Sequence, residues 1–186
     1  MRQIKMVARV LTVLTLLWCY SVPVSAEVGF GFKGGMWIPD QDPFKDEFDS
    51  DMLLGGVLEM DSNLGLTLEA DVEYYQQNGK SGGEITIFPL IVMAKYNFAP
   101  RYRTTPFVGM GIGTYFFDRK YDGKSKSTTR FGTRVAGGVR FLEDRRMNLV
   151  LEVAKNFVDF DDMNAGSFQV TLSFLFDFYP GIIGAP

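Results

Sequence analysis

The sequence predicts an all-β fold, an eight-stranded antiparallel up-and-down transmembrane β-barrel, and three observations carry that expectation. Apolar and polar residues alternate with period two in eight successive segments. No stretch after the N-terminal leader keeps apolar residues at i, i+3, i+4 and i+7 through three turns, as a surface helix requires. The connections between segments alternate short and long, so that short ends collect on one side and long ends on the other. At 186 residues the chain has room for one core, and with 46% hydrophobic and 15% aromatic residues it is too apolar for disorder. With 22% charged residues it is too polar for a bundle of membrane helices.

Residues 1–26 read as a cleavable Sec signal peptide, leaving 27–186 as the barrel domain. Arg2, Lys5 and Arg9 form a basic leader, Val10 to Cys19 is an apolar run, and Val24-Ser25-Ala26 supplies small residues for cleavage. Pro23 interrupts the run before it reaches the roughly 20 residues of a membrane-spanning helix. Removal of the leader takes away three cations and no anions, so the formal charge goes from −3 to −6. An acidic exported chain offers no footprint for nucleic acid. The single cysteine, Cys19, lies inside the leader, so no disulfide is expected.

The eight segments fall at 28–38, 52–60, 64–75, 85–98, 106–117, 130–142, 148–158 and 168–179. In the third, Leu64, Leu66, Leu68, Ala70, Val72 and Tyr74 share one face and Glu69, Asp71 and Glu73 the other. The sixth sets Phe131, Thr133, Val135, Val139 and Phe141 against Arg130, Arg134 and Arg140. The eighth sets Phe168, Val170, Leu172, Phe174, Phe176 and Phe178 against Gln169, Thr171, Ser173 and Asp177. The fourth and seventh are apolar on both faces apart from Lys95 and from Glu152 and Lys155, and their facing stays open. The long connections are PDQDPFKDEFDS, QQNGKSGGE, DRKYDGKSKSTT and DFDDMNAGS, with Asn-Gly and Asp-Gly pairs at hairpin positions.

Alternation alone does not say which face is inside. Segment lengths suit tilted bilayer crossings, and the apolar faces end in aromatics such as Tyr74, Phe116, Phe131, Phe141 and Phe168. An eight-stranded barrel has interior space only for side chains. With the polar face inward, Lys33, Lys95, Arg130, Arg134 and Arg140 meet Glu59, Glu69, Asp71, Glu73, Glu152 and Asp177, an ion-pair network that plugs the lumen. Turning the sixth strand over would place its arginines in lipid, at about 2–4 kcal/mol each near the midplane. The competing arrangement is a soluble calyx with the oily face inward, for which Gly35-x-Trp37 matches a short lipocalin signature.

These segments resemble the small eight-stranded outer-membrane β-barrels of Gram-negative bacteria, similar to the membrane domain of outer-membrane protein A, to the X and W types and to porin-like outer membrane β-barrel domains. Val170, Leu172, Phe174, Phe176 and Phe178 resemble the C-terminal signal read by the barrel assembly machinery, although eight residues follow Phe178. The stretches FPLIVMAKYNF and TPFVGMGIGTYF also look like strands four and five of such families. The resemblance implies an outer-membrane location among phospholipid and lipopolysaccharide, and a structural or envelope role or one mediated by the long loops. The alternative it carries is a conduit for small or hydrophobic molecules. Enzymatic outer-membrane barrels depend on histidine, and the chain has none, so no catalytic residue and no cofactor are expected. Glu69, Asp71 and Glu73 on one face read as salt-bridge partners of the sixth-strand arginines. Asp40, Asp42, Asp46, Glu47, Asp49 and Asp51 in the first long loop read as a solvated tip, with calcium as the alternative. Arg119, Lys120, Lys124 and Lys126 in the third long loop suit lipopolysaccharide phosphates.

Overall fold

The computed structural model describes residues 27–178 except 43, 63, 81–82, 99–102, 122–123, 145–146 and 161–162. The leader and the residues after 178 lie outside the described residues. The strands are β1 (Glu27–Pro39), β2 (Asp51–Asp61), β3 (Leu66–Asn78), β4 (Glu84–Asn97), β5 (Thr104–Tyr121), β6 (Lys124–Asp144), β7 (Met147–Phe160), the two-residue β8 (Met163–Asn164) and β9 (Ser167–Phe178). Each of the eight long strands pairs antiparallel with its neighbours, and β9 pairs with both β7 and β1, which closes the barrel. Closure leaves no sheet edge along the membrane-spanning ladder, the condition a β-structure must meet where no water is available to bond to.

The long-loop side differs from the sequence expectation in two ways. The third connection is largely strand, because β5 and β6 stay in register as far as Tyr121 opposite Lys124. The first connection contains a single helical turn, α1 (Phe44–Glu47), too short for any periodicity to reveal. At the other end the turns are tight. In the β2–β3 turn Gly65 adopts φ 80°, a conformation that other residues rarely take, and its N–H donates to the Ser62 carbonyl at 3.0 Å. Where β3 meets β4, the paired register lapses between Val72–Leu90 and Tyr75–Ile87, beside Pro89, which has no N–H to give the ladder.

The faces sort as a bilayer demands. Phe32, Met52, Leu54, Leu58, Met110, Ile112, Phe131, Val135, Val153 and Phe174 are exposed on the outside, while Lys33, Glu59, Glu69, Asp71, Glu73, Lys95, Arg134 and Glu152 are buried inside. This polarity is the reverse of a soluble calyx and excludes that arrangement. Trp37, the residue of the lipocalin-like signature, points inward and stacks on Tyr75 at 5.2 Å. The open question of facing resolves by the charged residues: β4 turns Lys95 inward together with Ile85, Ile87, Ile91 and Met93, and β7 turns Glu152 inward with Val150, Ala154 and Asn156.

Two adjacent glycines on β1 test the sidedness. A Cβ on inward Gly35 would stand 2.1 Å from the Val170 carbonyl oxygen, whereas one on outward Gly34 meets nothing nearer than 3.8 Å. Gly35→Ala is expected to cost about 3 kcal/mol or more and to abolish heat-dependent gel migration, with Gly34→Ala leaving it intact. Ile112→Arg, on the outer face of β5, is expected to cost about 2–4 kcal/mol in urea unfolding from lipid vesicles.

Candidate functional site: the filled lumen and its mouth

Among the described residues, buried side chains occupy the lumen in successive layers. At the middle, Lys33 on β1 faces three residues of β3 and one of β7. Its Nζ lies 2.8 Å from Asp71, 3.6 Å from Glu73, 3.7 Å from Glu152 and 3.9 Å from Glu69. Lys95 on β4 donates to Glu69 at 2.6 Å and to Glu152 at 2.5 Å, and its ammonium also stands 4.8 Å from the Phe107 ring centre. Arg134 on β6 grips Glu73 with both terminal nitrogens, at 2.6 and 2.7 Å, and reaches Asp71 at 3.3 Å. The fork geometry of guanidinium and carboxylate favours this bidentate pairing. The third nitrogen donates to Asn156 Oδ1 at 2.7 Å, which also accepts from the Tyr115 hydroxyl at 2.9 Å, and Gln169 donates to Glu73 at 3.1 Å. Room for these long side chains comes partly from β5, where Gly109, Gly111 and Gly113 lie directly under Lys95, Met93 and Ile91.

Below the network, toward the short-turn end, Val57, Phe107, Val150 and Leu175 form a small apolar layer. Arg140 then bonds Glu59 at 2.8 Å and Asp61 at 2.6 Å, and Asn148 donates to Asp177 at 2.6 Å. Above the network, toward the long loops, Trp37, Leu53, Tyr75, Ile85, Ile87, Tyr115 and Phe117 belong to one buried apolar cluster. Two connections fold over it. Ala165, between β8 and β9, is buried in the cluster, and so is Phe48 from the first long loop.

Most of the residues expected in the lumen are brought together, and one is not. Arg130 keeps the inward register, opposite Tyr115, yet it is exposed where the others are buried or half-buried. The reason is height: β6 pairs with β7 only from Gly132 onward, so Arg130 sits on the part of the strand that projects beyond that seam. Asp61, read in the sequence as part of a turn, belongs to the lumen as a partner of Arg140, and its position two residues after Glu59 was the available signal. The aromatic and aliphatic upper layer was not foreseen at all. On β4 it had no contrast between faces to reveal it.

The acidic first loop is more than a solvated tip. Asp40 forms an ion pair with Lys155, which lies on the outer face of β7 with its ammonium 4.4 Å from the Phe168 ring centre. Asp49 pairs with Lys80 at 3.2 Å. No cluster of acidic residues with metal-holding geometry occurs among the described residues. Of the cations expected on the third long loop, Lys120 pairs with Glu84 at 3.6 Å, and Arg119 and Lys126 face each other across the β5–β6 ribbon.

Among known proteins, several solved structures share this architecture at low sequence identity. Neisserial surface protein A aligns with 83% of this chain and all of its own at TM-score 0.65 and 13% identity. The N-terminal β-barrel domain of Pseudomonas aeruginosa OprF aligns with 82% of this chain and 97% of its own at TM-score 0.59 and 14% identity. The outer membrane protein OprG from the same organism aligns with 83% of this chain and 95% of its own at TM-score 0.58 and 12% identity. Identities this low establish the fold alone. No curated protein matches the chain in sequence. The family described as "Outer membrane protein beta-barrel domain" matches residues 12–176, nearly the whole chain, and the protein is therefore a member of that outer-membrane family.

Proposed function

We propose that the protein is a non-enzymatic barrel that serves the outer membrane structurally or through contacts made by its long loops, with its lumen sealed by its own side chains. The observation that supports this reading is the stacking of buried apolar and ion-paired layers between the two barrel ends. An aqueous path would have to part Arg134 from Glu73 and Lys95 from Glu152, contacts that are all buried. In the same reading residues 1–26 are removed on export. The outward row Val170, Leu172, Phe174 and Phe176 of β9, continued by Phe178, then presents the strand to the assembly machinery. The side chain of Phe178 lies outside the described residues.

One observation favours the alternative, a lateral route for apolar molecules: the lapse of paired register beside Pro89 in the β3–β4 seam. It spans two residue pairs, and the buried Tyr75 and Ile87 resume the ladder immediately beyond it.

Planar-bilayer recordings test the sealed lumen. The wild-type protein is expected to show no discrete conductance steps, and reproducible steps would sink the proposal. The ion network makes a second expectation. Arg134→Met leaves Glu73 and Asp71 buried beside an apolar side chain and should destabilise the barrel by about 3–5 kcal/mol in urea unfolding. Replacing both partners, Arg134→Met with Glu73→Met, should recover most of that loss. Equal destabilisation of the single and double variants would show that packing of the guanidinium, rather than charge, is what the site requires.

A further inference from the structure

The first long loop, residues 40–50, enters the barrel mouth in a particular way. Phe48 is 3% exposed and belongs to the apolar cluster of Trp37, Tyr75, Ile85, Ile87 and Phe117. Its backbone makes an isolated antiparallel bridge with Gly79, just past the end of β3. The next residue is held as well: the Gln77 amide donates to the Asp49 carbonyl at 2.6 Å, and Lys80 meets the Asp49 carboxylate at 3.2 Å. A ring in a socket, a main-chain bridge, a read carbonyl and a cation for the following carboxylate together form the recognition set for a short extended segment.

The occupant is weakly committed to its place. The bridge to Gly79 is isolated and not part of a ladder, and among the described residues of the loop the regular element is the single turn α1. The Lys80–Asp49 pair is open to solvent, with side chains 51% and 76% exposed. Exposed pairs of this kind stabilise little. The Asp40–Lys155 pair holds the start of the loop, while Asp42 and Asp46 lie between the two anchored ends with Lys45 beside them. Segments with few regular contacts open at a small fraction of the cost of global unfolding. Below the socket the Arg134–Glu73 layer closes the floor, so whatever enters has no onward path.

We propose that the mouth carries a dead-end recognition socket for an extended aromatic–acidic segment of an external polypeptide, occupied at rest by the chain's own Phe48–Asp49. The socket rests on the reading that the long loops mediate contacts, and it names the chemistry of the partner. An external segment exchanges with the resident one by setting an aromatic ring among Trp37, Tyr75 and Phe117, pairing with Gly79, and placing a carboxylate at Lys80.

Trp37 provides the measurement. With residues 1–26 removed, Trp37 is the only tryptophan of 27–186, and it lies within the socket cluster at 1% exposure. The mature protein is purified from outer membranes in detergent micelles and checked by heat-dependent migration, and acrylamide quenching of Trp37 is recorded. Phe48→Ala is expected to raise the quenching constant several-fold. N-acetyl-Phe-Asp-amide at about 10 mM, the range that replaces a tethered segment, should restore the wild-type shielding, and N-acetyl-Gly-Asp-amide should not. Adding Lys80→Ala should weaken the Phe-Asp effect by up to about fivefold, the scale of an exposed ion pair. Equal shielding of Trp37 in wild type and Phe48→Ala, or equal protection by the two peptides, would overturn the proposal. If Phe48→Ala does not fold, Phe48→Leu, which keeps the plug apolar without a ring, takes its place in the peptide competition, and equal protection by the two peptides there overturns the proposal. Conductance steps in planar bilayers would overturn the sealed lumen while leaving the quenching result untouched, so the two failures are distinguishable.

Discussion

A backbone in hydrocarbon has nothing but itself to bond to, and every other feature of this protein follows from how the chain meets that condition. Eight strands in a closed ladder satisfy the main chain, with β9 joining β1 to β7. Closure at eight strands also fixes the bore, which is just wide enough for side chains. The interior must then be packed as a core, and the exterior must be apolar because lipid is its solvent. Glycines at inward positions of β1 and β5 are part of the same constraint, since long side chains from neighbouring strands lie across them.

Packing a core from polar residues raises a difficulty that the ion network addresses. Lys33, Lys95 and Arg134 are each no more than 3% exposed, and so are Glu69, Asp71, Glu73 and Glu152. Isolated, any of these charges would be very costly to bury, and attraction offsets the cost only where geometry is close and the remaining donors are satisfied. Arg134 meets both demands, with a bidentate carboxylate on one side and Asn156 on the other. Lys33 works differently, as a central cation with one short contact and three longer ones. Three cations for four carboxylates make each cation indispensable. The network lies buried between apolar layers above and below, so its pairings are less screened than surface ones.

Much of this was legible in the sequence, and the parts that were not share a physical cause. Period-two alternation sets the side of a residue but not its height. Arg130 therefore has the same parity as Arg134 and Arg140 and yet stands on the projecting ribbon. Strands apolar on both faces carry no parity signal of their own, which hid the inward placement of Ile85, Ile87 and Ile91 until Lys95 fixed the register. Turn composition misled at the strand ends. Asp61 and the residues around Asp122-Gly123 are polar and turn-like, but the ladder runs on through Asp61 and up to Tyr121 and Lys124. Phe48 gave no periodic signal, because a lone aromatic among aspartates belongs to no regular element.

The two ends of the barrel are built for different purposes. At the short-turn end the Asn97 N–H donates to the Gly65 carbonyl and its side chain to Thr67, so neighbouring turns brace one another. Polar side chains, Arg140 with Glu59 and Asp61 and Asn148 with Asp177, complete that end. At the long-loop end the finish is apolar, and the chain must fold two connections inward, through Phe48 and Ala165, to keep water from Trp37 and Tyr75. An apolar surface that needs a cover of its own is costlier to maintain than a polar one that water could wet. Placed on the side of the long loops, the covered layer is the surface that the proposed socket would offer to an external segment.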